Sequence, residues 1–144
     1  MILYLDTSAL VKRYVQEAGS AEVLDLVERA EAVGSVVLTH VEMAAALARA
    51  VRLNWVARDE AEAAWNDFQD HWLYFARLTL TPAALQRAAG LAWEFGLRAY
   101  DAVQLSAALS WQDGLGAPVV LATYDRELRA AAGRRGLAVW PEEM

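Results

Sequence analysis

The chain of 144 residues has no cysteine. That excludes a disulfide framework, a thiolate nucleophile and a zinc–thiolate centre, and it fits a reducing compartment, so a cytoplasmic protein is expected. The two histidines, His40 and His71, lack ligand-like spacing, which leaves little room for a histidine-based catalyst. Only three prolines and eight glycines punctuate the chain, and no linker or low-complexity tract separates one part from another, so a single domain over 1–144 is expected. No apolar run approaches the roughly 20 residues a membrane helix needs, and no basic segment leads into a long apolar core. A formal net charge of −6 argues against a protein that grips nucleic acid by a broad basic surface, though not against a local site.

What is present begins with the apolar run Ile2, Leu3, Tyr4, Leu5, which ends abruptly in Asp6, Thr7 and Ser8. A short run without alternation suits a parallel strand covered on both faces, and ligands gather beyond the carboxyl ends of such strands. Val36, Val37 and Leu38, then Val119 to Ala122, and finally Leu137 to Trp140 read as further strands, with a possible one within 74–80. Between them, helical periodicity runs from Ser8 to Val15, from a Ser20 cap toward Gly34, and from His40 to Leu53. It resumes from an Asp59–Glu62 capping box to Trp72, from a Thr81 cap and Pro82 to Gly96, from Arg98 to Trp111, and from an Asp125 cap to Arg135. Short apolar strands alternating with helices predict an α/β sandwich around a parallel sheet.

Four acids stand out. Asp6 and Asp125 follow predicted strands, and Glu42 lies in the first turn of the helix that directly follows the second. Asp101 lies among Ala99, Tyr100, Ala102 and Val103. Each has an ordinary alternative: Asp6, Thr7 or Ser8, and Asp125, as helix caps; Asp101 paired with Arg98; Glu42 favoured by a helix dipole in a first turn. Glu42 is the most informative, because Val41, Met43, Ala44, Ala45 and Ala46 offer it no local base, and a buried unpaired carboxylate costs several kcal/mol, roughly, unless a metal holds it. Carboxylates gathered at one crevice repel one another, and oxygen ligands without Cys or paired His select Mg²⁺ or Mn²⁺ over Zn²⁺.

The run Asp6-Thr7-Ser8-Ala9-Leu10-Val11-Lys12, the isolated Glu42, the stretch Leu97 to Leu105 containing Arg98-Ala99-Tyr100-Asp101-Ala102, and Ala122-Thr123-Tyr124-Asp125 together resemble a PIN-domain ribonuclease of the VapC toxin type. The resemblance spans nearly the whole chain. It implies a three-layer sandwich with a central parallel five-stranded sheet flanked by helices, and Asp6, Glu42, Asp101 and Asp125 as an acid quartet around Mg²⁺ or Mn²⁺. Thr7 and Thr123 match hydroxyl positions beside the acids. Gln104 departs from the pattern, standing where many relatives carry histidine. RNA is the implied substrate, cut by in-line attack of water to leave a 5′-phosphate and a 3′-hydroxyl, with the ion lowering the pKa of that water.

Arg98, Lys12, Arg13 and Arg126 lie near the acids in sequence and are candidates to hold RNA phosphates, although exposed arginines commonly serve only to solvate a surface. Trp65, Phe68 and Trp72 recur at helical spacing. Such a stripe is either core or, as the resemblance implies, part of a groove for an amphipathic helix of an antitoxin, with a second copy of the chain (a homodimer) as the other occupant. Four rivals are weighed. A phospho-acceptor signalling domain needs paired early acids and a late lysine, whereas the sole lysine is Lys12. A phosphatase of the Asp-x-Asp type would need an acid at Ser8. An RNA-processing nuclease without an antitoxin, or a non-catalytic binding domain, shares the fold.

Overall fold

The computed structural model describes all residues from 1 to 144. Its centre is a five-stranded, wholly parallel sheet in the order β3-β2-β1-β4-β5, formed by β1 (Ile2–Leu5), β2 (Ala32–Val36), β3 (Ala76–Leu78), β4 (Val119–Ala122) and β5 (Ala138–Trp140). Helices α1 (Thr7–Leu10), α2 (Ser20–Glu28), α3 (Leu38–Arg52) and α4 (Arg58–Trp72) cover one face, and α5 (Pro82–Phe95), α6 (Ala99–Leu115) and α7 (Arg126–Arg134) the other. The pleat of β1 shows why its run is unbroken: Tyr4 packs with Leu105, Leu121 and Leu128, while Leu3 and Leu5 pack with Leu10, Met43 and Phe68. This is the three-layer α/β sandwich expected of the sequence.

Strand β1 pairs with β2 on one side and β4 on the other, so the order reverses beside it. A crevice opens at such a switch point, outside the strands' carboxyl ends. Asp6 stands directly beyond β1, and Asp125 three residues beyond β4.

Several boundaries differ from the sequence reading. Strand β2 lies at Ala32–Val36 rather than at 36–38, and α2 stops at Glu28 rather than reaching Gly34. Gly34 belongs inside the strand because Trp111 packs on it: a Cβ there would stand 2.7 Å from that ring and 2.9 Å from the Ala76 carbonyl. Val37 is exposed, and Leu38 already starts α3. Ser20 does not cap α2. Gly19, at φ +90°, occupies the cap, and the Ser20 hydroxyl accepts from Glu17 N and donates to Val15 O. Nor does Asp59 cap α4, which begins one residue earlier after Ala57 with no capping side chain. Helix α6 continues through Gly114 to Leu115, and the first helix tightens after Leu10 into a 3₁₀ turn over Val11–Arg13. Thr81 caps α5 and Asp125 caps α7 as expected.

Phe68 is fully buried and Trp72 nearly so, both in the core of their own subunit among Met43, Leu10 and Phe75, so neither lines a partner groove. Their stripe faces inward because α4 folds back on α3 as a hairpin. His40 stacks on Phe68 and Trp72, and His71 Nδ1 lies 2.9 Å from the Tyr14 hydroxyl, which gives both histidines structural roles.

Candidate active site

Asp6 fills the cap role weighed for it. Its Oδ1 accepts from Ala9 N at 3.0 Å, capping α1, and from Ser8 Oγ at 2.7 Å; its Oδ2 accepts from Thr123 Oγ1 at 2.6 Å. Three donors would ordinarily depress a carboxyl pKa. Burial outweighs them here and, with the Asp101 charge adding to it, holds Asp6 at about 6. Thr123 also accepts from Asp125 N at 3.0 Å, so one hydroxyl ties the end of β1 to the start of α7. Ser8 makes a second tie, accepting from Tyr124 N at 2.9 Å. The sequence names Ser8 only as a possible helix cap, not as this tie.

Glu42 lies in the second turn of α3, not the first, so dipole stabilisation is not what places it there. It has no ion pair. Gln104 Nε2 donates to Oε1 at 2.7 Å, while burial, ahead of every other influence, raises the pKa of the acid. Thr7 is close enough to lower that pKa, yet its buried Oγ1 reaches hydrogen-bond geometry with nothing.

Asp101 sits in the first turn of α6. Burial and then the Asp125 charge raise its pKa, opposed by Arg98. The sequence-level alternative is thus realised: Arg98 Nε donates to Asp101 Oδ2 at 3.1 Å, and Nη2 donates to Asp125 Oδ2 at 3.1 Å. Arg98 is itself largely exposed, a single cation bridging two of the four acids. Lys12 is occupied differently, donating to Glu17 and to Ala18 O and lying over the Tyr124 ring. Arg13 lies over Tyr14. Neither is directed to the acids by any ion pair. Arg126 is exposed and unpaired, on the α7 face that also carries Arg129 and Arg134 along an open groove.

The structure therefore brings the four acids to one pole from four elements. The Asp101 charge acts on Asp6 and Glu42, and the Asp125 charge on Asp101. As the side chains lie, no three of them close on a common point at ligating distance. The donor set nonetheless fits a hard divalent cation: it is all oxygen, it is under-neutralised by Arg98 alone, and the orphaned Thr7 hydroxyl beside Glu42 lacks the partner that a ligated carboxylate or its water would supply.

The aromatic hairpin leaves a second feature. Trp65, half-buried, lines a groove between α3 and α4 with Leu47, Val51, Ala61, Arg52 and Arg58, and Trp55 at the bend is two-thirds exposed.

The PIN-domain family model matches residues 3–134. Ribonuclease VapC45 of Mycobacterium tuberculosis (strain CDC 1551 / Oshkosh) is 35% identical over 144 residues, 99% of this chain and 97% of that protein. Among solved structures, PAE2754 from Pyrobaculum aerophilum superposes with a TM-score of 0.65 at 27% identity, covering 96% of this chain and 83% of that one. VapBC2 from Rickettsia felis, solved with a DNA fragment from its promoter, gives 0.66 at 12% identity over 96% and 97%, a likeness of fold alone. No helix of this chain is long and apolar enough to cross a membrane. By the extent of the family match and the near full-length identity to a VapC ribonuclease, the chain belongs to the PIN-domain family, in its VapC-type ribonuclease branch.

Proposed function

We propose that this protein is a divalent-cation-dependent ribonuclease, the toxin of a toxin–antitoxin pair, with Asp6, Glu42, Asp101 and Asp125 as its catalytic acids and cation ligands. The observation that carries the reading is the single counter-charge: four carboxylates share one pole, three have pKa values pushed upward, and only Arg98 offsets them. Bound Mg²⁺ or Mn²⁺ would supply the missing charge, acidify water and offset charge developing on phosphoryl oxygens.

The chain's own residues do the rest. Thr123 and Ser8 fix the Asp6 carboxylate so that it meets a ligand without reorientation. Asp101 and Asp125, released from Arg98, turn their Oδ2 atoms to the site. The freed guanidinium then meets a phosphate, the group its planar fork matches as well as it matches a carboxylate. Arg126, Arg129 and Arg134 on α7 continue the positive path away from Asp125, so an acidic protein holds RNA by one local strip. Lys12 and Arg13, engaged elsewhere, play no direct part. An antitoxin helix occupies the groove lined by Trp65, Leu47 and Val51, with a second copy of the chain as the alternative partner surface.

The test is RNA cleavage by the purified chain with Mg²⁺ or Mn²⁺, with excess chelator, and by Asp101→Asn. Cleavage only with metal, reduced at least about a hundredfold in the variant, supports the reading. Full activity in chelator or in the variant overturns it.

A further inference from the structure

Gln104 is the most fully bonded buried side chain in the molecule that the catalytic reading leaves without a task. It lies on α6 three residues after Asp101 and is 2% exposed. Its Nε2 donates to Glu42 Oε1 at 2.7 Å and to Thr39 Oγ1 at 3.0 Å, and its Oε1 accepts from the Tyr4 hydroxyl at 2.6 Å. Behind these lies a chain of further bonds. Ser35 Oγ donates to Leu5 O at 2.6 Å and stands 2.7 Å from Thr39 Oγ1, while Val36 N donates to the Tyr4 oxygen at 3.3 Å.

The direction of every proton in this network follows from elementary chemistry. A carboxylate only accepts, so the amide must present its NH₂ to Glu42 and its carbonyl to Tyr4. Tyr4 is buried, which drives its pKa far above the ordinary value and keeps its hydroxyl a donor. The one proton of Ser35 is spent on Leu5 O, so Thr39 donates to Ser35 and is left as an acceptor for the second amide hydrogen. No donor faces a donor. The amide of Gln104 therefore has one orientation, anchored to β1, β2 and α3, and in that orientation it always offers an N–H to Glu42. That is the sole hydrogen bond the Glu42 carboxylate receives.

We propose that Gln104 is a positioning residue for the acid site: through Tyr4 and Thr39 it locks the Glu42 carboxylate in one rotation with its second oxygen free, and thereby sets the affinity for the divalent cation without touching cation or RNA. The proposal rests on the reading of the acids as a cation site. Partners of this kind orient ligands in metal centres generally, and their loss costs about 10- to 100-fold in affinity.

The experiment is titration of Mn²⁺ alone into the purified full chain, followed by electron paramagnetic resonance, for the parent, Gln104→Leu, Gln104→His and Tyr4→Phe. RNA cleavage is measured in parallel over a range of Mn²⁺ concentrations. Gln104→Leu should weaken Mn²⁺ binding about 10- to 100-fold, with cleavage largely recovered at saturating Mn²⁺. Gln104→His, whose ring N–H can still donate to Glu42, should stay within a few-fold of the parent. Tyr4→Phe keeps the shape of the core but frees the amide to turn, and should give an intermediate loss, which carries the test should Gln104→Leu fail to fold. Parent-like Mn²⁺ affinity in a folded Gln104→Leu or in Tyr4→Phe overturns the proposal while leaving the nuclease reading intact. A parent that binds no Mn²⁺ overturns both.

Discussion

The Thr123 hydroxyl donates to Asp6 Oδ2 at 2.6 Å, joining residues 117 positions apart, and accepts from Asp125 N in turn. Thr123→Val keeps the shape and removes both bonds, leaving a buried carboxylate short of one donor. The expected cost is about 1 to 3 kcal/mol in urea unfolding, with Thr123→Ser recovering most of it. Equal stability of the valine and serine variants would show that the hydroxyl anchors nothing.

Arg98 competes with any cation for Asp101 and Asp125. Arg98→Ala should therefore bind Mn²⁺ more tightly than the parent in the absence of RNA, and should show a higher KM for RNA because a phosphate contact is lost. Weaker Mn²⁺ binding in Arg98→Ala would mean that the arginine organises the acids rather than occupying them.

Asp6 gives a pH dependence with a definite sign. Its folded pKa of about 6 lies above the ordinary 3.8, so the folded state holds more protons than the unfolded state between those values. Without metal, stability from this group is fully present below about pH 4 and is lost as pH rises through about 6, a change of about 3 kcal/mol. Thermal unfolding of Asp6→Asn should show a correspondingly smaller fall over that window, and Mg²⁺ should reduce the fall in the parent by favouring the ionised form. A parent and an Asp6→Asn variant with parallel profiles would contradict this.

Trp65 and Phe68 separate the two readings of the aromatic stripe. Phe68→Ala should cost about 3 to 5 kcal/mol, because the ring is wholly enclosed. Trp65→Ala should cost less and instead weaken association with the antitoxin proposed for this groove, measured by calorimetry. Unchanged association in Trp65→Ala places the partner surface away from the α3–α4 groove.

The legible parts of the fold were those where short-range chemistry and burial agree. The unbroken runs Ile2 to Leu5 and Val119 to Ala122 are strands to the residue, because both faces of each are covered. Thr81 with Pro82, and Asp125, capped their helices because cap chemistry is local. Strand β2 departs from the sequence reading because Gly34, a breaker by its chemistry, is held in the strand by Trp111 packing against it, a contact 77 positions away in sequence. At the candidate site, Asp6 and Asp125 stand out in the sequence by following apolar strands, Glu42 and Asp101 by their apolar neighbours, and the four as one set only through the family resemblance. Gln104, Ser8 and Tyr4 do not stand out in this way, because an amide, a short hydroxyl and a buried phenol acquire their roles only once β1, α3 and α6 are brought together.

The central claim is that the four acids hold one divalent centre. Crystals of the protein soaked in Mn²⁺ and measured at the manganese absorption edge test it directly. The expected result is anomalous density at the carboxyl ends of β1 and β4, with carboxylate oxygens of Asp6 and at least one of Glu42, Asp101 and Asp125 about 2.0 to 2.6 Å away, and with Arg98 withdrawn from Asp101. Density absent from this pole, with Arg98 still bridging Asp101 and Asp125, would contradict it.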